Sequence, residues 1–320
     1  MSNAVCDQCQ SEIGAGARTC ARCGAPAFAN FMPDPRRTSR RQAPSNAFVT
    51  WAAIGGALAI MAVLVGIGIF FGMQQRAASN REANALADTS RELLMQQQQR
   101  IKNGGAGRAP DGPAPGASTE LAPARSEAEL LRGLNVILRE VGHKSQYRQA
   151  QIEAQMNALK IETVLEPKSL VSAGAIRNGR DIAARYTALL EQSVTASRES
   201  NDELTRRVRA LASGLPAGKR QLGLFESSTA KRLALESSLI ANQRRMMALI
   251  GQMLDLAQSG LGRIQLQDGS LAFQNQNDLD RYNQLADQIQ ATAADETRIT
   301  REQQAMLRQA MTQVDRLKRS

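Results

Sequence analysis

Four cysteines fall within the first 23 residues, as Cys6-Asp7-Gln8-Cys9 and Cys20-Ala21-Arg22-Cys23, and no cysteine follows. Two C-x-x-C pairs separated by ten residues can form two knuckles that face each other across one tetrahedral Zn²⁺, with every position closed by thiolate. Cys6, Cys9, Cys20 and Cys23 are therefore candidate ligands of a single structural Zn²⁺ that leaves no position open for a substrate. A pair of disulfides and a thioredoxin-type redox pair compete for the same thiols. The redox use needs a strand-to-helix context, which this Gly- and Ala-rich segment lacks.

A unit of this size cannot bury enough apolar surface to fold by itself, and bound Zn²⁺ contributes roughly 10–16 kcal/mol in small finger peptides. Gly24, directly after Cys23, suits a knuckle in which the backbone closes on sulfur. The stretch 6–26, CDQCQSEIGAGARTCARCGAP, resembles the short zinc-ribbon family found at the N-termini of many bacterial membrane proteins. That resemblance implies a ribbon fold, the same four cysteine ligands and a docking role in place of catalysis.

Little else in the chain is built for chemistry. His143 is the single histidine, and Glu140-Val-Gly-His143 has the Glu-x-x-His spacing of di-iron bundles. Such a centre needs two copies and further glutamates, so the match reads as accidental. With no nucleophile elbow and no phosphate-cradling glycine loop, the chain reads as not an enzyme.

The elements that carry these residues follow in order. Residues 1–30 form the ribbon and 31–46 a basic linker with Arg36, Arg37, Arg40 and Arg41. Residues 47–73 are uncharged and, at 1.5 Å per residue, reach roughly 40 Å, long enough for a transmembrane helix. The arginines before the span predict a cytoplasmic N-terminus and an extracytoplasmic C-terminal region, a single-pass protein of a bacterial-type inner membrane. The reducing cytosol suits the thiolates. Small-residue pairs Ala52/Gly56, Gly55/Ala59 and Gly68/Gly72 leave a helix-mediated homodimer open.

Residues 74–102 are a helix-prone juxtamembrane segment in which the glutamine run 96–99 has little to pack with, and 103–125, rich in Gly and Pro, is a flexible linker. From 126 to 320 apolar residues recur at helical spacing. Leu130, Leu134, Ile137 and Val141 begin the pattern, which is interrupted at Gly142 to Ser145 and resumes at Ile152, Met156 and Leu159. Further helices are expected from about Lys168 to Ser213, from Leu222 to Gln258 and from Asn277 onward. Alternation around Asp268-Gly269 predicts a β-hairpin near 263–273. The fold class is thus mainly α: ribbon, membrane helix, then an elongated antiparallel helical bundle with a short hairpin, an intermolecular coiled coil being the alternative.

The net charge of +10 divides as +3 over 1–46 (six basic, three acidic), +2 over 47–125 (seven, five) and +5 over 126–320 (27, 22). Basic groups such as Arg206-Arg207-Arg209 and Lys219-Arg220 are read as solvated faces that could touch anionic polymers or membrane lipid. With so few aromatics outside the apolar span, a nucleic-acid platform is disfavoured. The sequence is read as an interaction or scaffold protein: a cytosolic ribbon docks one protein partner and an outer bundle binds an envelope partner. A sensor with a ligand-binding bundle is the alternative, and a nucleic-acid tether comes third.

Overall fold

The computed structural model describes residues 4–5, 12–13, 80–102, 119–215 and 218–317. Two short strands, β1 (Ala4–Val5) and β2 (Glu12–Ile13), pair antiparallel with Ala4 opposite Ile13 and Val5 opposite Glu12. Five helices follow: α1 (Asn80–Lys102), α2 (Glu127–Ala158), α3 (Ala173–Ala212), α4 (Gly218–Ser259) and α5 (Gln276–Leu317). A hairpin of β3 (Ile264–Gln267) and β4 (Ser270–Phe273) joins α4 to α5. The described chain is mainly helical with one short hairpin in the C-terminal region, as its periodicity predicts.

Local signals set the helix ends. Ser126 Oγ accepts the Glu129 N–H at 3.2 Å, and the Glu129 carboxylate accepts the Arg125 N–H at 2.8 Å, so one donor in the first turn of α2 and one just before the helix are satisfied. The helix stops at Ala158, and Lys160 turns the chain with a φ of 49°. Two short 3-10 turns, Ile161–Thr163 and Pro167–Ser169, lead to Ser172, which caps α3 by accepting the Ala175 N–H. In the hairpin, Asp268 and Gly269 have φ of 49° and 77°, the positive values that a two-residue turn demands.

Ion pairs fix the directions. Arg148–Glu199, Lys144–Glu203 and Glu140–Arg207 step in opposite directions along α2 and α3, and Arg180–Asp255 and Glu191–Arg244 do so along α3 and α4. The helices α2 to α5 therefore run up and down, and α5 returns along α4. At 40 residues, α3 is roughly 60 Å long. Helix α1 breaks the alternation. Arg132 reaches Glu82 at 3.0 Å and Arg139 reaches Thr89 at 3.2 Å, both across 50 residues of sequence, and a constant offset means that α1 is parallel to α2. Its other flank lies on α5, where Arg91 meets Asp315 at 3.6 Å.

Helix α1 thus belongs to the bundle. Leu86, Leu93 and Leu94 are buried in a lower core with Leu131, Ile137 and Leu138 of α2, Leu204 and Leu211 of α3, and Leu307 and Val314 of α5. Even Gln97, within the glutamine run, is buried. Residues 119–125 are held too: the Ala124 N–H donates to the Leu211 carbonyl at 2.9 Å, and Thr119 hydrogen-bonds Glu140. A second, upper core joins Ile152 and Met156 to Ile176, Tyr186, Ile250, Leu254, Leu285 and Ile289.

The lower core is packed to contact at Gly133, where an added Cβ would lie 2.7 Å from both Leu211 methyl groups. Gly133→Ala should lower stability by about 1–2 kcal/mol in denaturant unfolding, because overpacking outweighs the roughly 1 kcal/mol gained in helix propensity.

The membrane assignment is corrected. The span 47–73 lies outside the described residues, and among the described residues no helix is long and apolar enough to cross a membrane. The physical reason is visible in each long helix: an apolar stripe turns inward while charged residues line the rest, so each helix buries its stripe against its neighbours. The single-pass inner-membrane localisation, with its cytoplasmic and extracytoplasmic sides, is not carried further.

Candidate functional site

Between the two apolar cores the bundle interior turns polar. On α5 the inward positions run Leu285, Ile289, then Thr292, Glu296, Thr300 and Gln303, then Leu307, Ala310 and Val314. The apolar rhythm continues through the middle, but four of the side chains that keep it are polar. The other helices do the same at the same height. Helix α2 buries Ser145, Gln146, Gln149 and Glu153; α3 buries Ser193, Ser197, Ser200 and Asn201; α4 buries Arg232, Glu236, Asn242 and Gln243.

Cross-helix hydrogen bonds show that these stretches form one layer. The Ser193 hydroxyl donates to Gln149 at 3.1 Å, linking α3 to α2. Ser197 donates to Glu236, and Arg232 donates to the Asn201 side chain at 2.6 Å, linking α3 to α4. The Asn242 amide donates to the Thr292 carbonyl at 3.0 Å, linking α4 to α5, and the Gln243 side chain lies near enough to Glu296 to influence its carboxyl. A small apolar cluster of Leu239 and Ile299, with the half-buried Leu235 packed against it, interrupts the layer between α4 and α5.

The electrostatics are those of charge taken out of water. Arg232 is only 1% exposed; burial pulls its guanidinium down to about 10, and the Glu236 carboxylate at 3.3 Å opposes that shift. Glu296 is 2% exposed, and burial pushes its carboxyl up to about 8, with the nearby Gln243 amide acting in the other direction while both carboxylate oxygens make no hydrogen bond. Burial also raises the Tyr186 hydroxyl, and the Glu296 charge adds to that effect, so the two groups sense each other across the bundle interior. Several buried polar atoms make no hydrogen bond, among them Tyr186 Oη, Asn201 Nδ2, Arg232 Nε, Thr300 Oγ1 and both amide atoms of Gln303. Each such atom costs about 1–3 kcal/mol unless water reaches it.

The residues singled out from sequence lie elsewhere. Cys6, Cys9, Cys20 and Cys23 are outside the described residues. Among the described residues no group of three or more His, Cys, Asp or Glu is placed to hold a metal ion, and the metal-binding reading is corrected to that extent. The Glu236 carboxylate is already engaged by Ser197 and Arg232, and Glu296 lies on the neighbouring helix with only the neutral Gln243 acting on it from α4. Glu140 and His143 do not converge. His143 is exposed, whereas the Glu140 carboxylate accepts from Thr119 and, at 2.7 Å, from Arg207. Burial raises the Glu140 carboxyl, but these hydrogen bonds prevail and hold it below the ordinary range. Arg207, grouped from sequence with a solvated basic face, is turned inward and 9% exposed.

Apolar recurrence by itself does not reveal the polar waist, because the inward positions there carry polar side chains. It is nonetheless readable. Gly142 to Ser145, an interruption of the apolar pattern in sequence, lies within one continuous helix, and Ser145 is the first buried polar residue of the layer on α2. Extending the spacing of Leu285 and Ile289 toward Leu307 falls on Thr292, Glu296 and Gln303. No protein-family model matches this chain, and no curated protein and no solved structure matches it either.

Proposed function

We propose that the chain is an interaction protein whose helical bundle is a scaffold for a protein partner. The observation that carries this reading is the polar waist across α2, α3, α4 and α5. A layer of buried ions and amides stabilises a bundle less than apolar residues of the same volume would, but it is satisfied in one register only. A long bundle that accepts this cost keeps its outer faces in fixed relation over roughly 60 Å, which is what a docking surface requires. Those faces mix both signs of charge in exposed pairs such as Arg244–Glu191 and Arg298–Glu302, a pattern that suits a protein partner better than a polyanion.

The test is capture with the full chain, with a chain ending at residue 118, and with a Glu191→Lys/Glu199→Lys variant of the α3 face. A saturable protein partner that binds the full chain and is lost from the shortened one supports the scaffold reading. Equal binding by both, or no saturable partner, removes it. Loss in the charge-reversed variant would place the partner on α3, with an expected weakening of about tenfold.

A further inference from the structure

We propose that the waist is a proton-controlled joint: with its proton in place, Glu296 lets α4 and α5 close over it, and loss of that proton loosens the α4–α5 contact there while both apolar ends stay packed.

The geometry supports this in three ways. First, Glu296 is in the centre of the stripe Thr292, Glu296, Thr300 and Gln303, and only 2% of it reaches solvent. Second, the groups around it do not supply a counter-charge. From α4 it meets the neutral Gln243, while Arg232, lower on the same helix, is engaged by Asn201 and Glu236. From α3 it faces Tyr186, whose buried hydroxyl makes no hydrogen bond. Helix α2 brings the buried acid Glu153 to the same layer. The cations near it in sequence or height point away: Arg298 is with Asp295 and Glu302, Arg244 with Glu191, and Arg148 with Glu199, all exposed. On the flank shared with α1, Arg91 pairs with Asp315, several turns further along. Third, the apolar contact between α4 and α5 at this height is confined to Leu239, Ile299 and the half-buried Leu235, whereas large clusters hold the structure above and below.

An ionised carboxylate in such a place must be rehydrated, since leaving it dry costs several kcal/mol. Water can enter at the height of this layer, where only a small apolar cluster lies between α4 and α5. Burial already sets the carboxyl near 8, so small changes in the surroundings suffice to move its proton. This inference goes beyond the scaffold reading and does not depend on it.

Hydrogen–deuterium exchange of the full chain between pH 6 and 9, corrected for intrinsic base catalysis, tests the joint. Peptides covering 236–243 and 292–303 should lose protection by up to about tenfold per pH unit from pH 6 to about 8 and level off above it, while peptides covering 130–138 and 249–257 keep theirs. The profile should be flat in Glu296→Gln and retained in Glu153→Gln. Full protection of the waist at pH 9, loss in all regions together, or a Glu296→Gln profile that follows the wild type would each overturn the proposal. A flat profile in Glu153→Gln alone would overturn the assignment to Glu296. The wild-type profile decides even where a variant does not fold.

Discussion

Arg232→Met should lower the unfolding free energy by about 3–5 kcal/mol, the largest effect expected of any single substitution at the waist. Arg232 is the most deeply buried cation in the described structure, 1% exposed, and it donates to Asn201 at 2.6 Å and to Glu236 at 3.3 Å. Methionine keeps much of the volume but leaves the Glu236 carboxylate buried with Ser197 as its remaining partner. The loss thus comes chiefly from an unpaired charge and not from a cavity. The paired variant Arg232→Met/Glu236→Leu tests that account, because replacing both ions removes the charge along with its partner. It should recover most of the stability, and a double-mutant cycle in guanidinium should show a coupling of about 2 kcal/mol or more. A paired variant as unstable as Arg232→Met alone would mean that packing, not charge, sets the loss.

The second large effect is a pH dependence with an uncommon sign. Most carboxylates in folded proteins are stabilised as ions, and they contribute stability that is lost in acid. Glu296 is the reverse: burial raises its carboxyl from 4.5 to about 8 in the folded chain. Between those values the unfolded chain has lost the proton that the folded chain keeps, so stability falls as pH rises through this window and levels off above it. The shift corresponds to a decline on the order of 5 kcal/mol across the window. Glu140 and Glu191 have lowered values, so their contributions fade only in acid below the ordinary carboxylate range and do not overlap the decline. Chemical denaturation at pH 5.5 and 8.5 should therefore show a stabler protein at the lower pH. Glu296→Gln should bring the two measurements within about 1 kcal/mol of each other by raising the value at pH 8.5. Equal wild-type stabilities at the two pH values would show that the carboxyl titrates in its ordinary range.

These two residues also show what a sequence conveys and what it withholds. The helices were legible because burial imposes a period, and Leu279, Leu285 and Ile289 announce α5 whatever they pack against. The hairpin was legible because Asp268-Gly269 can adopt the positive φ that its turn needs, and the register places Leu266 opposite Leu271 as the alternation implies. Glu296 gave no such sign: a glutamate between exposed neighbours on a long helix reads as one more solvated charge. Its burial depends on which face of α5 meets Gln243, and that is set by apolar residues many turns away.

Helix α1 makes the same point from the other side. Leu86, Leu93 and Leu94 have a usable spacing, yet a segment rich in Gln and Ala read alone as an isolated helix with nothing to pack on. Its parallel course beside α2 comes from Glu82 meeting Arg132 and Thr89 meeting Arg139, contacts across 50 residues that no local window contains. The sequence by itself determined where this protein is helical, where it turns and where four cysteines stand, because propensity, periodicity and spacing act within a few residues. Only the tertiary structure decided that α1 closes the lower core and that Arg232, Glu236 and Glu296 lie in a buried interior, because burial depends on the whole assembly of helices around a side chain.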